Sequence, residues 1–166
     1  MRGNGIIVSS EARGVFKSCK LNAAAYPGSL MTPVPNTAVD ANGLETMELA
    51  GTTANSVLAA DGGIVPIAIL MDNSKQGFDA HTQIPVGTVA EVYYPVMGEE
   101  LNILGTDQVG TATLIVQGQT QLIADFTNKG RFKPTTGTPA SKPFMALESV
   151  VDPMTATLVW CRYTGA

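Results

Sequence analysis

Apolar and polar positions in this chain alternate in short runs and do not recur at helical spacing. In GGIVPIAILM (62–71), Val65, Ile67, Ile69 and Met71 share one face of an extended strand, and Pro66 suits an edge or a strand start. IPVGTVAEVYYPVMG (84–98) turns Ala90, Val92, Tyr94 and Val96 inward and Glu91 and Tyr93 outward. EELNIL (99–104), ATLIV (112–116), QLIADF (121–126), FMALESV (144–150) and ATLVWCRY (156–163) follow. QLIADF sets Leu122, Ala124 and Phe126 against Gln121, Ile123 and Asp125. ATLVWCRY is apolar on both faces, as a central strand is, and Trp160 within it reads as a core residue. DNSKQG (72–77), NKGRFKP (128–134) and TTGTPASKP (135–143) read as turns and loops. Six or seven short strands punctuated by Gly, Pro, Asn and Asp predict a mainly β domain, a small barrel or sandwich, over residues 61–166.

Residues 1–60 show less periodicity. LNAAAYPGSLMTPVPNTAVDANG (21–43) holds Pro27, Pro33 and Pro35 among Gly, Asn and Asp. Proline fixes its own torsion and pushes the preceding residue towards extended backbone, so an extended N-terminal arm without a core of its own is expected. LETMELAGTTANSVLAA (44–60) fits a strand through Met47 and Leu49, or a short helix through its alanines.

Composition narrows the function classes. Charged residues are 14% of the 166-residue chain, against roughly 25% in ordinary soluble domains, while Ala, Gly and Thr number 19, 17 and 18. A surface so poor in charge suggests that other protein covers much of it. Nowhere does an apolar run reach the roughly 18–20 residues of a membrane-spanning helix, and MRGNGIIVSSEARG lacks a signal-peptide core. No membrane partner and no export are therefore expected. The net charge of −4 is spread unevenly: +3 over residues 1–20, −10 over 21–128 and +3 over 129–166. Nucleic acid needs a concentrated basic face, which this distribution does not supply. The basic ends suit acidic patches on a protein partner, or are ordinary solvated charge. Cys19 and Cys161 lie too far apart for a metal motif and read as reduced, packed thiols, with a disulfide between the chain ends as the alternative.

Catalytic chemistry finds little to work with. His81 is the single histidine, in a loop (FDAHTQIP) two residues after Asp79, and no G-x-S-x-G elbow surrounds a serine. Glu99 and Glu100 are adjacent and on a strand point to opposite faces, so they cannot act as a pair. DNSKQG sets Asp72, Ser74 and Gln76 at alternate positions like a calcium loop, but Gln83 stands where the bidentate glutamate is required, which favours a hydrogen-bonded turn. No phosphate loop or dinucleotide fingerprint occurs. No enzyme activity, metal or cofactor is expected.

Tyr94, Pro95, Gly98, Leu101, Asn102 and Leu104 are followed in order by Gly130, Arg131, Phe132 and Lys133, and then by Pro143, Ala146, Leu147, Glu148 and Val150. This succession over roughly residues 60–166, closed by ATLVWCRY, resembles the capsid decoration (cement) proteins of tailed bacteriophages. The resemblance implies a non-enzymatic β-tulip-like domain, commonly a homotrimer. Such proteins assemble in the host cytoplasm onto the outer capsid surface and stabilise the lattice of the major capsid protein. It also implies that the N-terminal segment lies over that protein. Arg2, Arg13, Phe16, Lys17 and Lys20 are then the expected capsid-binding residues, with Ile6, Ile7, Val8, Val15 and Leu21 as apolar candidates beside them. A head fibre base or tail-tube subunit is the alternative within virions, and a small hydrolase using His81 the alternative outside them.

Overall fold

The structure is a computed structural model and describes residues 5–7, 12–34, 37–51, 68–105, 115–125, 128–135, 144–150 and 158–165. Its described strands are β1 (Val15–Leu21), β2 (Leu30–Pro33), β3 (Glu45–Leu49), β4 (Ala68–Leu70), β5 (Val89–Tyr94), β6 (Glu100–Leu104), β7 (Gln121–Asp125), β8 (Arg131–Thr135), β9 (Phe144–Ala146) and β10 (Leu158–Tyr163). One short 3-10 turn, Ser74–Gln76, joins them. The first five close a barrel in the order β1-β3-β2-β4-β5, and the last five form a sheet in the order β6-β10-β9-β7-β8. The expected mainly β barrel is thus present, with a second sheet packed on it.

Period-two alternation explains the two cores. Cys19, Leu21, Met31, Met47, Ala68, Leu70, Ala90 and Val92 point into the barrel and are buried there. Leu30, Ile69 and Tyr93, each one position off that register, point out of the barrel and are fully buried against the sheet. From the sheet side they meet Leu101, Ile103, Leu122, Phe132, Phe144, Val159 and Cys161. Tyr93, assigned outward by its alternation, does leave the barrel interior, but it enters a buried seam instead of solvent. Val96, expected inward, is 39% exposed because β5 ends at Tyr94 and the chain turns.

Several other expectations are corrected. The extended arm does not hold over residues 15–49: β1, β2 and β3 supply three of the five barrel strands, and Pro33 sits at the end of β2 paired with Met47. This region has no core alone, but strands of the second half complete one for it. In particular, β1 runs antiparallel to β5 from Val15↔Tyr94 to Lys20↔Val89. Of the two readings of 44–60, the strand holds at Glu45–Leu49, while residues 52–60 lie outside the described ones. NKGRFKP is a turn only to Gly130, after which Arg131–Thr135 pairs with β7. Residues 62–67, 112–114, 136–143 and Phe126 also fall outside the description. Trp160 is half-buried and belongs to neither cluster, since its neighbours Val159 and Cys161 take the core-facing positions. Cys19 and Cys161 are not disulfide-bonded and lie in different cores, and burial pushes the Cys19 thiol up to about 11.

Two glycines join the lobes. Gly28 donates to the Leu70 carbonyl (2.8 Å) and accepts from the Leu104 amide (2.9 Å), tying β4 to β6. Gly130 donates to Ala50 O and accepts from Leu30 N, both at 2.8 Å, which binds the β7–β8 turn to the barrel. Gly130 has φ +72°, and a Cβ there would lie 2.5 Å from Leu49 Cδ2. Left-handed backbone alone costs a non-glycine residue about 1–2 kcal/mol. Gly130→Ala should therefore lower unfolding free energy by at least about 2 kcal/mol once the clash is added. Denaturant titration measures this.

Candidate docking surface and the Glu99 anchor

The turn between β5 and β6 carries the chain from the barrel to the sheet and builds an anchor at one end of the molecule. Gly98, at φ +95°, lets the chain reverse, and its N–H donates to Tyr163 O at 2.8 Å. Glu99, 1% exposed, is left facing inward beneath this turn. Its Oε1 accepts from Tyr93 Oη (2.6 Å) and from the Arg13 amide (2.5 Å), and its Oε2 accepts from the Val96 amide (2.8 Å). Tyr93 Oη accepts in turn from the Gly14 amide at 2.7 Å. Gly14 has no room for a Cβ against Tyr93 and the Tyr94 carbonyl. One carboxylate thus fixes the entry to β1, the end of β5 and the start of β6.

Electrostatics follow from these bonds. Burial alone would push the Glu99 carboxyl up, but the donors from Tyr93, Arg13 and Val96 outweigh it and hold it below its ordinary value. The Tyr93 hydroxyl is pushed up to about 12, first by burial and then by the bond to Glu99. Glu100, next in sequence, lies outward and pairs with Arg162 at 3.0 Å. The expected opposition of the two glutamates is therefore real, while the structural task of Glu99 was missed. Its signal in the sequence is faint: a glutamate directly before a strand, after a Pro-x-x-Gly turn.

The expected docking residues are partly brought together. Arg2 and Val8 lie outside the described residues. Arg13 is exposed, and its guanidinium reaches Met97 O at 3.5 Å. Phe16, 47% exposed, leans on Tyr93 with ring centroids 4.7 Å apart. Lys17 is held by Glu45 at 2.7 Å, a bond that raises its pKa, and Lys20 is exposed beside Asp40. Ile6 and Leu21 are buried and cannot dock, Ile7 is half-buried in a bridge to Leu101, and Val15 is 65% exposed. Val96 and Met97, 39% and 70% exposed, are in the turn after β5 whose Met97 carbonyl the Arg13 guanidinium reaches. Neither was expected to dock.

Elsewhere the chemistry is quiet. His81 is exposed, and its amide and the Thr82 hydroxyl both donate to Asp79 Oδ1, a self-contained turn. Asn73 and Phe78 bridge each other across residues 73–78, closing the hydrogen-bonded turn expected there. Among the described residues no group of three His, Cys, Asp or Glu side chains could hold a metal ion. No described helix is long and apolar enough to cross a membrane.

No protein-family model matches the chain, and no curated protein matches it. Among solved structures, the chain is similar to the head fiber gp8.5 N base of bacteriophage phi29 at a TM-score of 0.51 and 12% identity. The match covers 91% of this chain and 94% of that one, so the two share a fold across both lobes.

Glu99 and Tyr93 should shape the pH dependence of stability. A carboxyl lowered by folding stabilises above its unfolded pKa, and that contribution is lost as pH falls through the folded value. A hydroxyl raised by folding stabilises up to its ordinary value near 10, and the contribution is lost as pH rises towards about 12. Thermal melts should accordingly decline below pH ~4.5 and above pH ~10. Glu99→Gln, which sets an amide donor against one of three donors, should cost about 1–3 kcal/mol at pH 7 and flatten the acid limb. An unaltered acid limb in that variant would contradict the anchor.

Proposed function

We propose that this chain is a structural virion protein of a tailed phage that docks on the outside of the head and stabilises the major capsid protein lattice. The observation that carries the reading is a set of exposed apolar side chains around the start of β1 and the β5–β6 turn, Phe16 and Val15 on the two faces of β1 and Val96 and Met97 in the turn that Arg13 reaches, on a fold like that of a phage head fibre base. The ordered motifs from Tyr94 to Val150 that resemble decoration proteins support it too. Gly98 and Gly130 hold the positive-φ turns, and Glu148 accepts the Trp160 amide at 2.7 Å. These residues build scaffold and perform no chemistry. Three copies on the head are the expected assembly, because linked weak contacts give avidity well beyond one. Assembly takes place in the host cytoplasm, and the protein needs no cofactor. The fold likeness over most of both chains favours one second reading, a base that seats a head fibre on the same surface.

Full-length protein mixed with heads that lack it should co-sediment with them, and native mass measurement should give three copies per assembly on this reading. Burying the exposed half of Phe16 contributes about 1 kcal/mol, so Phe16→Ala should weaken binding about fivefold at every salt concentration. Arg13→Gln with Lys17→Gln should weaken it chiefly at low salt, since exposed pairs give only about 0–1 kcal/mol each and are screened. Protein that never pellets with heads would overturn the reading. A fibre visible only on heads carrying this chain would favour the base.

A further inference from the structure

The barrel is closed at the end of β1, from Cys19 to Leu21, but not at its beginning. Leu21 exchanges backbone bonds with Gly87 and Thr88 on the β5 side, whereas Asn22 donates to Met47 on the β3 side at 2.8 Å. Backbone groups along a strand alternate in direction, so Val15, Lys17 and Cys19 bond to β5, while Phe16, Ser18 and Lys20 face β3. The β3 ladder starts only at Cys19↔Glu45. Before that point the chain leaves the line of β3. Asp40 accepts from the Asn42 and Leu44 amides at 2.8 and 2.9 Å and closes a turn in which Asp40 N bonds Leu44 O. Among the described residues, none pairs with the N–H groups of Phe16 and Ser18 or with the Phe16 carbonyl, where a β3 extension would lie. The edge is rigid, because the Glu99 anchor fixes the backbone just before it at Arg13 and Gly14.

We infer that this open edge of β1 is the seat for one extended segment of the head-shell protein, which adds to the barrel as a short strand beside Phe16 and Ser18. The inference rests on the docking reading above and names the contact within it. Unpaired backbone on a strand edge is a template for pairing with another chain. The side chains define the occupant's chemistry. Phe16, 47% exposed, calls for apolar residues on its face of the incoming segment, while Val15 lies on the other face of β1. Lys17 and Lys20 are largely offset by Glu45 and Asp40, but among the described residues the Arg13 guanidinium bonds to the Met97 carbonyl at 3.5 Å and to no carboxylate, and so suits one.

The probe is a blocked octapeptide alternating valine and glutamate, titrated into the full chain at low salt while amide exchange is followed by NMR. A valine–lysine octapeptide serves as the charge control. Exchange at Phe16 and Ser18 should slow at least about threefold with the glutamate peptide and not with the lysine one. Lys17 and Cys19, already bonded to β5, should not change. Ser18→Pro removes one open N–H without touching the β5 ladder, and should weaken peptide binding about three- to tenfold, the size of one backbone hydrogen bond. Should that variant fail to fold, the exchange data on the unaltered chain decide alone. Unchanged exchange at Phe16 and Ser18, or equal slowing by both peptides, overturns the inference. So do heads that bind the chain yet leave both amides exchanging at the free rate. Failure of the docking reading is a different result: no co-sedimentation with heads, whatever the peptides do.

Discussion

At Gly28 and Gly130 two layers of backbone approach until they hydrogen-bond across the seam, and neither position leaves room for a Cβ. An added methyl at Gly28 would meet Leu158 Cδ2 at 2.7 Å and Asn102 O at 3.1 Å. That closeness lets the outer face of the barrel and the inner face of the sheet share one core, with Leu30, Ile69 and Tyr93 on one side and Phe132, Phe144 and Val159 on the other. A five-strand barrel of such short strands encloses little apolar volume. The seam gives its strands a second buried face and so roughly doubles the use made of each.

The seam also explains why a carboxylate can sit inside the molecule. Packing β5 on β6 brings the Tyr93 hydroxyl, the Val96 amide and the entry to β1 to one point, and Glu99 fills it with three donors. A buried charge with that many donors is stabilised in its ionised form, whereas an unpaired one would be costly. The result is a stiff end of the molecule at which β1 begins. Exposed apolar side chains held on rigid backbone lose little entropy when covered, which suits them for contact.

Val15, Phe16, Val96 and Met97 are exposed around the end that the Glu99 anchor stiffens. Val86 and Val89 are exposed at the opposite end of β5, and Val39 in a loop. The polar turns at Asn73–Phe78 and Asp79–Thr82 satisfy their own hydrogen bonds and offer no comparable apolar face. The proposed docking through the β1 end would cover part of a surface that is poor in charge.

Alternation along the chain was enough to identify the strands around Val92, Ile103, Leu122, Ala146 and Val159, because side-chain period is a local property of extended backbone. It also separated Glu99 from Glu100 and put His81 in a loop. Arg13, Phe16 and Lys17 were singled out by the basic charge of residues 1–20 and by the family resemblance, not by alternation. Alternation did not reveal that residues 15–49 close a barrel. A proline-rich, weakly periodic stretch becomes β-structure only when β4 and β5, distant in sequence, satisfy its edges, and no local signal records that partner. The burial of Tyr93 in the seam and the inward Glu99 were hidden for the same reason: alternation gives the face of a strand, but only the packing of one lobe on the other decides whether that face meets water or protein. The open backbone at Phe16 and Ser18 depends on where β3 happens to begin, a register between separate strands that tertiary structure alone sets.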